Sequence, residues 1–331
     1  MNECDVTFEA MGCEVRLIIG PPRRGLQSPV AAAERAHEFI ANFDRTLSRF
    51  RPESELCALN ADPRPVVPAS GLLRRALKAG LWAAARTDGL VDPTMVRELE
   101  SAGYARSRAG VAPASLTEAL ALAPARRPAS PSPERRWREI KVDDVNEVIR
   151  RPPGIVFDTG GSGKGLAADM VVESLRGYSR VVVDCGGDVR VGGFAAQALP
   201  FEVQIEHPVT GVRAHSLHMG AGGIATSGLN VRIWRRDDGT YAHHLLDPAT
   251  GEPAWTGVVG TTALGDTALE AETTSKAALL SGPAGARKLL ARRGGLIVHE
   301  DGEVELVGPL PARPRFSITV PRSIAEKRLV A

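Results

Sequence analysis

Between the apolar run Ile155-Val156-Phe157 and a helical pattern beginning at Leu166 lies the segment Asp158-Thr159-Gly160-Gly161-Ser162-Gly163-Lys164-Gly165. Its glycines permit close backbone approach and positive φ, its N–H groups favour an anion, and its lysine neutralises one. The composition reads as a phosphate grip and points to a nucleotide. The plainer alternative is a glycine-rich connection with a solvated lysine. A Walker A loop is excluded: it needs glycine five residues before the Gly-Lys pair and a hydroxyl after it, where Asp158 and Gly165 stand. No Gly-x-Gly-x-x-Gly turn with a later acidic residue supports an ordinary Rossmann fold.

Further downstream, Val183-Asp184-Cys185-Gly186-Gly187-Asp188 reads as a strand running into a Gly-Gly-Asp turn, followed by Ala225-Thr226-Ser227-Gly228. Next come His243, His244 and the run Leu245-Leu246-Asp247-Pro248-Ala249-Thr250-Gly251. Imidazole titrates near working pH and suits a general base, whereas a core histidine is the structural alternative. A helix then carries Glu272 and Lys276 at i and i+4, a pair worth ~0.3–0.5 kcal/mol when exposed. Only six of the 41 basic residues are lysine (Lys78, Lys141, Lys164, Lys276, Lys288 and Lys327), so each invites inspection.

The elements that must position these residues follow from periodicity. Cys13 to Ile19 alternates and predicts a strand. Ser28-Pro29 opens a helix with Ala32, Ala36, Phe39, Ile40, Phe43 and Leu47 at helical spacing. Ser70 caps a second, with Leu73, Ala76, Leu77, Leu81 and Ala84 on one face, ending before Asp88-Gly89. Residues 105–136 turn rich in Ala, Pro, Ser and Arg and read as an excursion or linker, mobile at its proline-rich end. Strand signals return at Val181 to Asp184, Phe201 to Glu206 and Gly295 to His299. The last is followed by Glu300-Asp301-Gly302 and Glu303 to Val307 as a hairpin. Helices cover Thr267 to Leu280 and Ala284 to Arg292. This mixed order predicts an α+β fold, not regular βα alternation.

A chain of 331 residues with 43% hydrophobic content supports one large domain or two intimate lobes over 1–331. A net charge of +2 gives no bulk reason for nucleic-acid or membrane partners. The four cysteines show no Cys-x-x-Cys spacing, which fits a reducing compartment better than a disulfide framework. Met1 to Asp5 is acidic and polar, and the first apolar run, Leu17 to Ile19, is too short for a signal peptide or membrane span. The expectation is a cytoplasmic protein without membrane insertion.

In this order the segments resemble the ApbE family, the FAD:protein FMN transferases, over nearly the whole chain. Ala10-Met11-Gly12 is similar to the family's Met-Gly-Thr start, with Cys13 in the Thr place. Leu47 to Leu56 and Asn60 resemble its Ser-x-Tyr-x-Pro-x-Ser-Glu-Leu and Asn segment, with Phe50 where Tyr is usual. Asp88 to Thr94 resembles Gly-x-x-Asp-Pro-Thr, Asp158 to Gly165 the Asp-x-Gly-Gly-x-x-Lys-Gly loop, and His244 to Gly251 meets His-x-x-Asp-Pro-x-Thr-Gly in full.

The resemblance implies mixed, tunnelling-fold-like sheets with flanking helices, and transfer of FMN from FAD to a Thr or Ser of an acceptor protein with release of AMP. It implies His244 as base, Lys164 on the pyrophosphate, and Asp247 orienting His244 or the incoming peptide. Met11 and Phe50 line the flavin, with a core role as the alternative; Asp158, Gly160, Gly161, Gly163 and Gly187 bind the cofactor; Ser227 contacts a phosphate or closes a turn; Asp92 and Asp188 touch ribityl, ribose or adenine. Magnesium is expected between Glu272, in the family's Asp place, and a Gly163 carbonyl. Lys276, however, occupies the usual Thr ligand place, and a protonated lysine cannot ligate a metal. Two readings follow: Lys276 places its charge where a metal would sit, pairing with Glu272 and neutralising the pyrophosphate so that activity is kept with weaker metal dependence, or the site binds FAD and has lost transfer. A pyrophosphatase giving FMN and AMP is a third reading. The missing signal segment shifts the expected acceptor to the cytoplasm or the cytoplasmic face of a membrane protein.

Overall fold

The computed structural model describes residues 3–311, so Met1, Asn2 and Lys327 lie outside the described residues. Its centre is an eight-stranded antiparallel sheet in which chain order is kept from edge to edge. The strands are Cys4–Ala10, Cys13–Ile19, Val181–Cys185, Asp188–Gly192, Gly222–Gly228, Val258–Gly265, Gly295–His299 and Val304–Val307. The other described elements are inserted between neighbours.

Period-two alternation explains why the central strands read as unbroken apolar runs. Val15, Leu17, Ile19, Val181 and Val183 face helices and pack with Ala36, Ile40, Ala168 and Val171. Ile18, Val182 and Val191 face the other way, beneath a separate hairpin contributing Ile205, Leu217 and Met219. With both faces covered over this part of the sheet, these strands alternate between two apolar environments. That hairpin pairs Phe201–Glu206 with Arg213–Met219 as its own small sheet.

Between the second and third strands the chain builds a helical lobe. Helix Pro29–Leu47 starts where Ser28 Oγ accepts the Ala31 N–H at 3.2 Å, and helix Gly71–Arg86 where Ser70 Oγ accepts that of Leu73 at 3.2 Å. With a short three-stranded sheet they enclose Phe43, Leu56, Leu73, Leu77, Ile149 and Phe157. Helices Gly163–Ser174 and Ala268–Leu280 then cross on the main sheet. Asp169 fixes the crossing: its carboxylate accepts the N–H groups of Ala268 at 2.8 Å and Leu269 at 3.0 Å.

The structure adds two features and corrects one expectation. Cys4–Ala10 is a strand that was not foreseen, because most of its side chains are exposed at a sheet edge and show no buried stripe. Ile155-Val156-Phe157 belongs to no strand; the Asn60 amide pairs with the backbone N–H and C=O of Phe157, both at 2.8 Å. Finally, the proline-rich end of 105–136 is tied down. Arg127 and Ala129 donate N–H groups to the carbonyls of Trp255 and Leu280 at 3.0 and 2.8 Å. Among the described residues no helix is long and apolar enough to cross a membrane.

Candidate active site

A cavity of about 470 Å³ opens between the helical lobe and the main sheet. Two tight turns make part of its wall. Met11-Gly12 (φ 52° and 71°) and Gly186-Gly187 (φ 62° and 90°) both have positive φ at two central residues, the type I′ geometry of two-residue hairpins. Strands Cys13–Ile19 and Val181–Cys185 are neighbours, so the turns lie side by side; a Cβ on Gly186 would meet that of Cys13 at 2.7 Å. Met11 holds a left-handed conformation disfavoured for a non-glycine residue. Met11 and Gly186 line the cavity, whereas Gly187 does not.

The glycine loop also lines it, but not as expected. The helix starts at Gly163, not Leu166, and none of the loop's glycines has positive φ. Most of its N–H groups are already used: Gly160 donates to Asp158 Oδ1, Ser162 and Gly163 to the Thr159 carbonyl, and Gly165 to Glu272 Oε2. The need for Gly165 is packing, since a Cβ there would stand 2.7 Å from the backbone of Ala268 and Leu269. Other motifs pin the loop in place. The Asp158 N–H reaches the Pro93 carbonyl at 2.8 Å, and the Thr159 hydroxyl donates to the Leu47 carbonyl at 3.1 Å. Arg49, only 5% exposed, reaches Asp158 Oδ2 at 3.4 Å. Its guanidinium lies 4.1 Å over the Phe50 ring and 4.7 Å over Tyr104. Phe50 and Tyr104 stand 5.4 Å apart as a tilted aromatic pair on the cavity. Asp92 lines the cavity too, with Oδ1 held by the Thr94 N–H and hydroxyl.

The most charged part of the site is a four-residue network. Lys164 Nζ lies 2.6 Å from Asp188 Oδ2, and Lys276 Nζ lies 2.8 Å from Glu272 Oε1. Burial works against the Lys164 charge, but the Asp188 and Glu272 carboxylates outweigh it and hold the ammonium firmly protonated. Burial raises Glu272 above the usual range, opposed by the ammoniums of Lys276 and Lys164. Asp188 therefore faces Lys164 and does not line the cavity, so the structure does not bring it to the expected ribityl, ribose or adenine position.

The residues present do not fit magnesium. Glu272 is fully buried, with Lys276 on one oxygen and the Gly165 N–H on the other. An ammonium ~4 Å from a divalent ion repels it by about 8 kcal/mol at an effective dielectric near 20. Among the described residues no three His, Cys, Asp or Glu side chains are grouped to hold a metal.

His244 follows the short hairpin Ile233–Arg235/Tyr241–His243 and lines the cavity. Its Nδ1 lies 3.4 Å from the Arg232 carbonyl. A carbonyl only accepts, so Nδ1 carries the proton and Nε2 keeps its lone pair. Burial, then the Lys276 ammonium, lowers the ring's pKa to about 3, which keeps it neutral. Asp247 does not orient it: Oδ1 accepts the N–H groups of Ser130 at 2.9 Å and Ala249 at 3.1 Å, joining this turn to the proline-rich segment. Ser227 closes no turn. It sits on strand Gly222–Gly228, with its hydroxyl 2.7 Å from that of Ser275.

Sequence reasoning missed Arg49, Tyr104 and Arg232 as cavity residues. Arg49 adjoins Phe50 within a segment already singled out; the other two carry no local signal. Arg232 donates to the carbonyls of Gly12 at 2.7 Å and Arg108 at 3.4 Å.

Comparison with known proteins agrees with this geometry. The model of the ApbE family matches residues 11–299. The FAD:protein FMN transferase of Klebsiella pneumoniae (strain 342) is 28% identical over 262 residues, covering 77% of this chain and 72% of that protein. That of Treponema pallidum (strain Nichols) is 30% identical over 261 residues, covering 74% and 69%. The crystal structure of the ApbE protein from Thermotoga maritima aligns with a TM-score of 0.75 at 26% identity, over 92% of this chain and 97% of that one. The flavin transferase ApbE from Vibrio cholerae shares the fold, with a TM-score of 0.71 at 19% identity over 92% and 97%.

Proposed function

This chain belongs to the ApbE family, and we propose that it breaks the pyrophosphate of FAD and carries the FMN half to a Thr or Ser hydroxyl of an acceptor protein, releasing AMP. The observation that carries this reading is the convergence of His244, Lys164 and Lys276 on one cavity that also holds the Phe50–Tyr104 pair. Aromatic rings suit a flavin, ammoniums suit phosphate, and a neutral imidazole suits removal of a hydroxyl proton.

In this reaction the acceptor oxygen attacks the FMN-side phosphorus while His244 Nε2 takes its proton. The P–O bond to AMP breaks, and the charge left on AMP is countered by the cavity's cations. Of those cations, Arg49, Lys164 and Lys276 each face a carboxylate. Arg232 has no such partner among the described residues and is the cation we assign to a phosphate oxygen or to the acceptor. No step requires magnesium. A cytoplasmic setting is supported by the cysteines, all four of which are free thiols.

The test uses FAD with candidate acceptor proteins, following AMP by chromatography and covalent flavin by mass. His244→Ala is expected to slow both by about 10²–10⁴. Free FMN without an acceptor would select the pyrophosphatase reading, and FAD binding without either product would select a binding protein.

A further inference from the structure

We infer that Lys164 and Lys276 form a metal-free subsite for the pyrophosphate of FAD, supplying the charge neutralisation for which magnesium was expected. This rests on the transferase reading and specifies how its substrate is held.

The placement of the four charges is the argument. Both lysines line the cavity, with side chains 29% and 12% exposed, while their partners Asp188 and Glu272 are 2% and 0% exposed. The carboxylates therefore lie behind the ammoniums and hold them from the protein side. Each ammonium has three N–H donors; Lys276 spends one on Glu272 and Lys164 is held by its ion pair with Asp188, which leaves donors for phosphate oxygens. Glu272 cannot swing out to serve a metal, because its second oxygen accepts the Gly165 N–H at 2.9 Å in the first turn of a neighbouring helix. The network is neutral by itself, and the two positive charges facing the cavity match the two negative charges of a pyrophosphate diester. When the P–O bond to AMP breaks, the released phosphate charge remains beside the two lysines.

FAD titrations in EDTA and in excess magnesium test this, read by flavin fluorescence and by calorimetry. The wild-type affinity is expected to agree between the two conditions within about twofold. Lys276→Thr is expected to bind FAD about tenfold or more weakly in EDTA, the loss of one charge-assisted hydrogen bond, and to recover when magnesium is added. Circular dichroism and melting establish that the variant is folded, and the wild-type comparison stands without it. Wild-type binding that needs magnesium, or a stoichiometric isotherm for Mn²⁺ on the FAD-loaded wild type, overturns the metal-free subsite and leaves the transferase reading intact. No FAD binding under either condition overturns both.

Discussion

At the scale of single residues, the His244 ring illustrates how burial and charge select a protonation state. Burial and the Lys276 ammonium, with Lys164 and Arg232 adding to them, depress its pKa to about 3. A base must be unprotonated to act, so activity limited by His244 is lost only as pH falls through its folded pKa. For kcat/KM on FAD, the acid limb is therefore expected well below the ~6.5 of a free imidazole. Lys276→Thr removes one of the repelling charges and is expected to move that limb to higher pH, read from pH profiles of AMP release. An unmoved limb in the variant would show that the ammonium does not act on the ring. Arg232→Gln addresses the cavity cation that faces no carboxylate among the described residues: FAD or acceptor affinity is expected to fall about tenfold by loss of a charged hydrogen bond, measured as KM for each. A change in neither would remove Arg232 from the site.

At the scale of elements, the site depends on two helices approaching closely. Gly165 has backbone, not flexible side chains, opposite its missing Cβ, so Gly165→Ala must separate helix Gly163–Ser174 from helix Ala268–Leu280. Overpacking of this kind costs about 1–3 kcal/mol, and it pulls the Gly165 N–H away from Glu272. Lower stability in urea melts is expected together with weaker FAD binding. Gly161→Ala is the control, since its nearest neighbour is Val91 Cγ1 at 3.5 Å and its stability is expected to stay unchanged. Equal melting of both variants with wild type would sink the packing argument. The elements themselves were readable wherever a pattern is local. Helix Pro29–Leu47 announces itself by Ser28-Pro29 and its buried stripe, and strand Phe201–Glu206 by its β-rich run. What could not be read depends on distant partners. Asp247 looks like a catalytic orienter until Ser130 is placed beside it, and Lys164 looks free until Asp188 lies 2.6 Å away. The glycines of 158–165 signal a special loop correctly in type, yet for Gly165 the reason is a helix crossing about a hundred residues later, which no local spacing encodes.

At the scale of the whole molecule, the sequential antiparallel sheet brings residues from insertions far apart in the chain into one buried region, and this couples the site to stability. His243, on strand Tyr241–His243, is fully buried, with its ring edge-on to Trp255 at 4.7 Å. Its Nδ1 accepts the Leu245 N–H at 3.3 Å, and Nε2 has no partner among the described residues. Burial, then the neighbouring His244 and Arg236, lowers its pKa to about 3. The unfolded chain takes up a proton as pH falls through ~6.5, whereas the native state resists until about 3. Stability from this residue is therefore complete above the unfolded pKa and declines through that window by roughly 1.4 kcal/mol per pH unit. Asp92, Asp169 and Asp184 act in the opposite sense. Burial raises their pKa, so they protonate in the native state before the unfolded one and relieve buried charge as pH falls. Urea midpoints are expected to fall between about pH 6.5 and 5, and His243→Gln, which cannot gain a proton, is expected to flatten that slope. An equally steep slope in the variant would place the acid sensitivity elsewhere and remove His243 from the account.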